Sequence, residues 1–352
     1  MSFDRYQRQI ILSELKPEGQ AQLERSSVLC IGAGGLGSPA LLYLAAAGVG
    51  KIGICDFDRV ELHNLQRQIL FSQHELGTSK AVTATEKLAR LNKDIVIVPH
   101  EEKLTPENAE RLFNQYDVIV DGSDNFDTKF LAADAAYKCG KPLVYASILG
   151  FDGQVAVFDT PATACYRCLY DSAPTAHVPN CGEAGVIGAI AGIMGSIQAL
   201  EAIKLCLRPV NKMESLAGKL LTIDAKNYAI RTVNIAKDSA CPLCSKAPAV
   251  VQLKADLAAN CSTWNNSILI DVREKDEWAA GHIEGAVNLP LSEIQAGTEW
   301  AKKFNKNQEY VLYCQRGRRS KVAMDIFKQQ GFEKVSDIPG GYQEFMQIKV
   351  AA

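Results

Sequence analysis

Short apolar runs alternate with segments of helical period along the first part of the chain. The runs that predict buried strands are residues 28–31, 51–55, 95–99, 118–121 and 143–146. Helices are predicted between these runs at residues 106–114 and 128–139. Such an alternation is typical of an α/β fold with a doubly wound, mainly parallel sheet that helices cover on both faces.

The hydrophobic pattern changes after residue 150. FDGQVAVF, at 151–158, alternates apolar and polar residues with a period of two, which predicts the start of antiparallel strands. GVIGAIAGIMGSIQALEAIKLCL, at 185–207, is long, apolar and rich in small residues, which predicts a buried helix. We expect this helix to pack against a second copy of the chain. Strands return between residues 211 and 234.

A second series of elements begins near residue 267. Strands are predicted at 267–272 and 310–313, helices at 274–280 and 319–330, and further short runs at 286–289 and 335–338. Residues 246–256 are rich in Ser, Lys, Pro and Ala, as linkers often are. With 352 residues the chain is long enough for two domains. We expect a first domain at 1–250, a linker at 246–256 and a smaller α/β domain at 257–352.

Composition narrows the classes of partner. A formal charge of −2 and a pI near 6.3 give no reason to expect nucleic acid or a membrane surface. We expect no apolar run of the roughly 18 residues that a membrane span needs, and MSFDRYQRQI contains no apolar signal segment. These features predict a cytoplasmic protein. The 11 cysteines include two Cys-x-x-Cys pairs, which suits a reducing compartment better than a disulfide framework.

The first candidate site is a glycine-rich turn between the run at 28–31 and a helix. Its glycines have the spacing G-x-G-G-x-G and are Gly32, Gly34, Gly35 and Gly37. Such a turn directs helix N-terminal N–H groups at an anion, which predicts a nucleotide site. Asp56 and Asp58 end the next strand, where a carboxylate can bind ribose hydroxyls. These residues fit NAD as well as ATP, and a packing turn without ligand stays possible.

Downstream cations favour a triphosphate over NAD. Asn64 and Arg67, within HNLQRQ at 63–68, and Lys80 offer an amide and two positive charges for phosphate and ribose oxygens. Asp124 and Asn125 follow the strand at 118–121, at the edge where open sheets bind ligands. A carboxylate beside three phosphates is most useful as a Mg²⁺ ligand. A plain turn and helix N-cap is the alternative for these two residues.

Four segments together resemble the adenylyltransferase domain of the ubiquitin-activating superfamily, in particular the bacterial MoeB and ThiF enzymes. They are VLCIGAGGLGSP, DFDRVELHNLQRQ, the isolated Lys80 and DGSDNFDTK, within a similarity that runs from residue 5 to about 244. The resemblance implies a Rossmann-like, ATP-binding homodimer. It also implies adenylation of the C-terminal glycine of a small ubiquitin-like sulfur-carrier protein that ends in Gly-Gly.

The same resemblance implies roles for individual residues. Arg8, within RYQRQ, would reach the phosphates from the partner subunit, although a solvated helix face is the alternative from composition. His63 stands where small polar residues are more usual. The positions implied to bind ATP and Mg²⁺ are Gly35, Asp56, Asp58, His63, Asn64, Leu65, Gln66, Arg67, Lys80, Asp124 and Asn125.

The cysteines suggest a metal site and a reactive thiol. Cys165-x-x-Cys168 and Cys241-x-x-Cys244 have the spacing of a four-thiolate Zn²⁺ site, which would join two distant parts of the first domain. A redox dithiol is the alternative for either pair alone. Cys181 lies in PNCGEAGVIG and by position resembles the family cysteine that can form a thioester or acyl disulfide with the carrier, while inert packing is its alternative.

A second candidate nucleophile lies in the C-terminal part. Cys314 opens CQRGRRS, where a strand ends and a helix begins, so loop N–H groups and arginines can stabilise a sulfur anion. A phosphatase-like Cys-x5-Arg loop is the alternative, nearly matched through Arg319. ILIDVREKDEWAAGHIEGAVNLPL and IPGGYQEF, within residues 258–348, resemble a rhodanese domain. That resemblance makes Cys314 the persulfide carrier and Asp271 and Arg273 structural partners.

Both halves fit one reaction sequence. Adenylation of the carrier's glycine would precede attack by the sulfur of a Cys314 persulfide, either directly or through an acyl linkage at Cys181. The product would be a C-terminal thiocarboxylate, and a cysteine desulfurase would reload Cys314. An NAD-dependent oxidoreductase with a phosphatase-like tail and a non-catalytic carrier-binding scaffold remain as alternatives. The pathway, whether for molybdopterin, thiamine, cysteine or thio-modified tRNA, stays open.

Overall fold

The structure is a computed structural model that describes residues 3–171, 185–253, 267–315, 317–338 and 341–342. The chain divides into two compact units, Met1–Asp256 and Leu257–Ala352. Because each unit has its own sheet and its own hydrophobic core, each is described by itself.

The first unit is built on an eight-stranded sheet with the order β3-β2-β1-β4-β5-β6-β7-β8. Strands β1 to β5 pair in parallel, and β6 to β8 each pair antiparallel with the strand before them. The mainly parallel sheet and the change to antiparallel pairing are both confirmed. The strands are β1 (Ser27–Ile31), β2 (Lys51–Cys55), β3 (Val96–His100), β4 (Val118–Asp121), β5 (Leu143–Leu149), β6 (Asp152–Phe158), β7 (Lys219–Asp224) and β8 (Ala229–Asn234).

Helices cover both faces of this sheet. In β1, Val28 and Cys30 point into one hydrophobic cluster, and Leu29 and Ile31 point into another, as the alternation of side chains along a strand requires. Both faces are therefore buried, as expected for a doubly wound sheet. The helices are α1 (Gln7–Ile10), α2 (Lys16–Arg25), α3 (Gly37–Ala47), α4 (Lys80–Leu91), α5 (Pro106–Phe113), α6 (Phe126–Cys139), α7 (Tyr166–Leu169) and α8 (Gly188–Leu207).

Helix α8 corrects one expectation. Its 20 residues are long and apolar enough to cross a membrane, so the expectation that no apolar run reaches that length is wrong. However, 61% of its apolar window is buried inside the protein. The helix packs against α3 and against strands β4, β5 and β6. It therefore serves as a core helix of the first unit, as its pattern predicted.

The second unit contains a four-stranded parallel sheet with the order β10-β9-β11-β12. Its core is aromatic, with the rings of Trp300 and Phe327 stacked at a centroid distance of 4.4 Å. The elements are β9 (Ile268–Asp271), α9 (Lys275–Ala279), β10 (Val287–Asn288), α10 (Leu291–Ala296), β11 (Tyr310–Tyr313), α11 (Arg318–Gln329) and β12 (Val335–Asp337).

The first part of the expected linker packs on the first unit. Pro248–Val250 forms a 3-10 turn, and Val251 is buried beside the cysteine pairs. The Tyr137 hydroxyl donates a hydrogen bond to the carbonyl of Lys246. Residues 246–253 thus contribute to the fold of the first unit, and 254–256 lie outside the described residues.

Candidate functional site

The glycine turn lies at the carboxyl end of β1, between Ile31 and the start of α3. Gly32 has a φ of +84°, a conformation that side chains other than glycine rarely adopt. A Cβ atom on Gly37 would overlap the carbonyl oxygen of Gly32. The turn therefore requires glycine at both positions. It leads directly into the N-terminus of an 11-residue helix, where N–H groups can bind an anion.

Residues of the HNLQRQ segment lie against this turn. A Cβ on Gly35 would be 3.3 Å from Cγ of Arg67, and a Cβ on Gly34 would be 3.6 Å from Nε2 of Gln68. Gln68 is buried, and its Oε1 accepts no hydrogen bond within the described part of the chain. A buried oxygen without a donor is costly unless a ligand supplies one. Gln68 is therefore a candidate that the sequence analysis missed, signalled only by its place next to Arg67.

Asp56 braces the turn from the neighbouring strand. One carboxylate oxygen accepts the N–H of Ala33 at 2.8 Å, and the other accepts the N–H of Asp58 at 2.8 Å. Burial raises the pKa of the Asp56 carboxyl, while Lys80 and the two N–H donors oppose this shift. These two hydrogen bonds hold the glycine turn in place, independently of any ligand that Asp56 binds.

Lys80 and Arg67 bring positive charge to the same edge of the sheet. The Lys80 side chain is only 5% exposed and its Nζ lies 3.0 Å from Oδ2 of Asp58. Nη1 of Arg67 donates to the carbonyl of His63 at 3.3 Å, and no carboxylate among the described residues pairs with it. The Arg67 charge therefore remains available to an anion.

The other residues of HNLQRQ differ in position. The exposed imidazole of His63 pairs with Glu61 at 3.1 Å. Asn64 is buried, and its carbonyl accepts the N–H groups of Arg67 and Gln68. Leu65 packs on the core and Gln66 is exposed. The segment is therefore held mainly through its backbone.

The loop after β4 approaches the glycine turn. A Cβ on Gly32 would lie 3.2 Å from the carbonyl oxygen of Gly122. Asp124 follows in this loop with an exposed carboxylate that makes no hydrogen bond to a described residue. Asn125 is the N-cap of α6, since its side-chain oxygen accepts the N–H of Thr128 at 2.9 Å. The N-cap interpretation is therefore correct for Asn125.

A buried ion pair holds the loop that follows β4. Asp121 is fully buried, and its carboxylate accepts a hydrogen bond from Nζ of Lys129 at 3.1 Å. It also accepts the N–H of Ser123 at 3.0 Å. Lys129 donates to the carbonyl of Ala146 at 2.7 Å as well, which ties the loop to β5. The predicted Mg²⁺ ligand Asp124 thus follows a rigid segment.

The structure brings most of the predicted nucleotide residues together and leaves one outside. The glycine turn, Asp56, Lys80, Arg67 and the Asp124 loop meet at the carboxyl ends of β1, β2 and β4, where open sheets bind ligands. The Arg8 side chain lies exposed on α1 and makes no ion pair or hydrogen bond with a described residue. Within one chain, Arg8 does not contribute to this arrangement.

The two Cys-x-x-Cys pairs converge. Sγ of Cys165 lies 3.7 Å from that of Cys168 and 3.4 Å from that of Cys241, and Sγ of Cys168 lies 3.4 Å from that of Cys244. All four sulfurs lie within 4.8 Å of one another. A tetrahedral zinc with bonds of about 2.3 Å would separate its sulfurs by about 3.8 Å. The cluster therefore fits a four-thiolate zinc site that joins residues 76 positions apart.

Cys314 lies where β11 ends and is 1% exposed. Its Sγ accepts the N–H of Arg319 at 3.2 Å, so the sulfur faces the first turn of α11. Arg319 is the fifth residue after Cys314 and position 320 is serine, so the Cys-x5-Arg spacing of phosphatases is not met. This arrangement suits a sulfur anion held at a helix N-terminus.

A second buried ion pair lies beside the cysteine loop. The guanidinium of Arg273 binds both carboxylate oxygens of Asp271, and both side chains are almost fully buried. Arg273 also donates to Oε1 of Gln315 at 3.0 Å and so links β9 to the residue after Cys314. Cys181, the other predicted nucleophile, lies outside the described residues.

Comparison with protein families agrees with both arrangements. The model of the ThiF family matches residues 6–243, more than half of the chain. The model of the rhodanese-like domain matches residues 252–348.

Several relatives span the chain. The probable adenylyltransferase/sulfurtransferase MoeZ of Mycobacterium tuberculosis is 42% identical over 360 residues, covering 96% of this chain and 91% of its own length. The adenylyltransferase and sulfurtransferase MOCS3 of Anopheles gambiae is 37% identical over 378 residues, covering 96% and 85%. The sulfur carrier protein adenylyltransferase of Thermus thermophilus is 45% identical over 264 residues, covering 73% and 96%.

A solved structure shares the fold. Escherichia coli MccB with MccA-N7isoASN aligns with a TM-score of 0.60 and 18% identity, covering 70% of this chain and 75% of that chain. At that identity, the similarity concerns the fold alone.

These findings decide between the alternatives left by the sequence. Relatives that extend over both domains are named for two activities, so this chain is an enzyme with adenylyltransferase and sulfurtransferase activity. ATP use follows from the family, and the oxidoreductase and scaffold alternatives are set aside. The chain belongs to the ThiF family and carries a rhodanese-like domain at its C-terminal end.

Proposed function

We propose that this enzyme adenylates the C-terminal glycine of a small ubiquitin-like sulfur-carrier protein that ends in Gly-Gly, and then converts that carboxylate to a thiocarboxylate. The observation that carries the proposal is the glycine turn with Arg67 beside it, Lys80 near Asp56, and the buried Oε1 of Gln68, which accepts no hydrogen bond from a described residue. A relative is named as a sulfur carrier protein adenylyltransferase, which supports the class of substrate.

In the proposed adenylation, the nucleotide lies along the glycine turn at Gly35. Asp56, Asp58 and the segment from His63 to Arg67 face its ribose and phosphates. Arg67 and Lys80 offset phosphate charge as the carrier's carboxylate attacks the α-phosphate and pyrophosphate leaves. Asp124, next to Asn125, would hold Mg²⁺, which neutralises phosphate oxygens when bound.

In the proposed sulfur transfer, the terminal sulfur of a persulfide on Cys314 attacks the acyl carbon, and AMP leaves. The product is an acyl disulfide between the carrier and Cys314. A thiol, for which Cys181 is the candidate, then attacks the Cys314 sulfur and frees the thiocarboxylate. This leaves a disulfide between the two cysteines that a cellular thiol reduces. A cysteine desulfurase would supply the sulfane sulfur to Cys314.

The proposed assembly is a cytoplasmic homodimer with a zinc ion in each chain. Helix α8 exposes Ile193 and Leu200, which are 44% and 52% exposed and suited to burial against a second copy. Arg8, exposed on α1, would then reach the phosphates of the other subunit. The four thiols of the cysteine cluster would hold zinc as a structural clamp.

The test is ATP–pyrophosphate exchange with a purified carrier. We expect exchange with a carrier that ends in Gly-Gly, and none with the same carrier lacking its last two residues. Exchange that is equal with both carriers would contradict the proposed substrate. Crosslinking or light scattering of the full chain would test the dimer, and metal analysis the zinc.

A further inference from the structure

The loop that carries Cys314 is rich in arginine, and one of these arginines is already neutralised. Arg319 donates from Nη1 and Nη2 to the two carboxylate oxygens of Glu277, at 2.5 Å and 2.6 Å. Parallel, charge-assisted bonds of this kind are the strongest type of ion pair in proteins. In agreement, the Arg319 hydrogen bond lowers the pKa of the Glu277 carboxyl.

The carboxylate that pairs with Arg319 comes from another helix of the same unit. Glu277 lies on α9, and Arg319, 42 residues later, lies in the first turn of α11. The pair is about one third exposed on each side, so solvent and small ions can reach it. The backbone N–H of the same Arg319 faces Sγ of Cys314. The guanidinium also lies near this sulfur, since Glu277 and, to a smaller extent, Cys314 raise the pKa of Arg319. What the guanidinium pairs with therefore affects the surroundings of the sulfur.

This arrangement disfavours a free oxyanion as sulfur donor. Thiosulfate carries two negative charges and needs donors such as a guanidinium. To use Arg319 it would have to break two charge-assisted bonds and leave the Glu277 carboxylate facing an anion. A persulfide on a protein carries less charge and can be positioned by protein surface.

We propose that Glu277 is a positioning residue that sets the sulfur-donor specificity at Cys314. By holding the Arg319 guanidinium, it weakens the binding of free sulfur oxyanions relative to that of a cysteine persulfide on a donor protein. The inference rests on the proposed role of Cys314 as sulfur acceptor and names the residue that limits the use of small oxyanion donors.

The transfer step is the same thiolate attack for either donor. With a protein persulfide, the Cys314 thiolate attacks the terminal sulfur, the donor's S–S bond breaks, and the donor cysteine leaves as a thiolate. With thiosulfate, the Cys314 thiolate attacks the outer sulfur and sulfite leaves. Both routes give the same Cys314 persulfide, so Glu277 affects donor binding rather than the chemistry.

The test uses the full chain and the steady-state kinetics of thiosulfate:cyanide sulfur transfer. In Glu277→Gln the carboxylate charge is lost and Arg319 is released, so we expect the KM for thiosulfate to fall roughly tenfold with kcat nearly unchanged. Glu277→Asp keeps the charge but shortens the side chain, and should give an intermediate KM. In the double variant that combines Glu277→Gln with Arg319→Gln, the fall in the KM for thiosulfate should disappear.

A matched control separates this effect from loss of helix capping. Glu274 and Glu277 form a capping box at the start of α9, because the side chain of each accepts the backbone N–H of the other. Glu274 does not contact Arg319, and its carboxylate accepts from Ser292 instead. Glu274→Gln should therefore leave the KM for thiosulfate unchanged.

An unchanged or higher KM in both Glu277→Gln and Glu277→Asp would overturn the inference while leaving Cys314 as the sulfur carrier. A chain that accepts no sulfur on Cys314 from either thiosulfate or a cysteine desulfurase with cysteine would overturn the proposed function and the inference together. Mass measurement of the intact chain distinguishes these two failures.

Discussion

The glycine turn in the first unit and the Cys314 loop in the second each join the end of a parallel strand to the start of a helix. In the first, β1 leads through glycines to α3, and among the described residues the nearby guanidinium of Arg67 bonds to a backbone carbonyl and to no carboxylate. In the second, β11 leads through Cys314 to α11, and the Arg319 guanidinium is bound by the Glu277 carboxylate.

The difference corresponds to two ways of using a helix N-terminus. A turn that binds a dissociable polyanion needs room near the backbone and cations with free donors, which glycines and Arg67 supply. A turn that stabilises one charge on a covalently held sulfur needs N–H donors close to that atom and little additional charge. The same local geometry thus suits two chemistries, and the neighbouring side chains select between them.

Removal of the Cys314 sulfur tests the contrast between the two turns most directly. Cys314→Ala should abolish thiosulfate:cyanide transfer and leave carrier-dependent ATP–pyrophosphate exchange near its original rate, because the nucleotide residues lie in the other unit. Cys139→Ala, a half-buried cysteine outside both sites, is the control and should change neither activity. Loss of both activities in Cys314→Ala would contradict the division of labour.

The reciprocal change is Asp124→Ala. We expect carrier-dependent exchange to fall by about 100-fold to 1000-fold, since a Mg²⁺ ligand beside developing charge is lost, while sulfur transfer persists. Asp94→Ala removes an exposed carboxylate before β3, at the opposite edge of the sheet, and serves as the control. Comparable losses in the two variants would exclude a specific role for Asp124.

The cysteine cluster sharpens the comparison, because its thiols are proposed to bind a metal ion and not to carry sulfur. Cys168→Ser should reduce bound zinc from about one per chain to near zero and lower the free energy of unfolding of the first unit by more than about 3 kcal/mol. Metal analysis and denaturant unfolding measure both effects, with Cys139→Ser as the control. Native protein without zinc would refute the clamp.

The smallest expected effect is at His63. Its ring is exposed and, within the described part of the chain, pairs with Glu61. His63→Ala should therefore change the exchange rate by less than about threefold, because surface ion pairs contribute little. Arg67→Ala, four residues away, should reduce exchange by about 100-fold. If both variants lost exchange to the same extent, His63 would belong to the site after all.

The sequence was most informative where a pattern is local. The apolar runs bounded by turn residues predicted β2 and β4 to the residue, and the glycine spacing predicted the strand-to-helix turn. Helix α4 was missed although Lys80 was singled out. Its buried side includes alanines and a threonine, which give weaker periodicity than large apolar residues.

Contacts between distant positions could not be predicted. The Glu277–Arg319 pair joins residues 42 apart, and the unpaired oxygen of Gln68 depends on how its segment packs over Gly34. Polar residues in such places look like ordinary surface positions in the sequence. Only the packing of the elements shows which charges are neutralised and which remain available.

The central claim is that adenylation in one unit and the sulfur held in the other act on the same carboxylate. The most direct measurement is the intact mass of a Gly-Gly carrier after incubation with this enzyme, Mg-ATP, a cysteine desulfurase and cysteine. We predict a mass gain equal to the replacement of one oxygen by sulfur, which is absent with Cys314→Ala. An unchanged carrier mass, despite active exchange and a persulfide on Cys314, would contradict the claim.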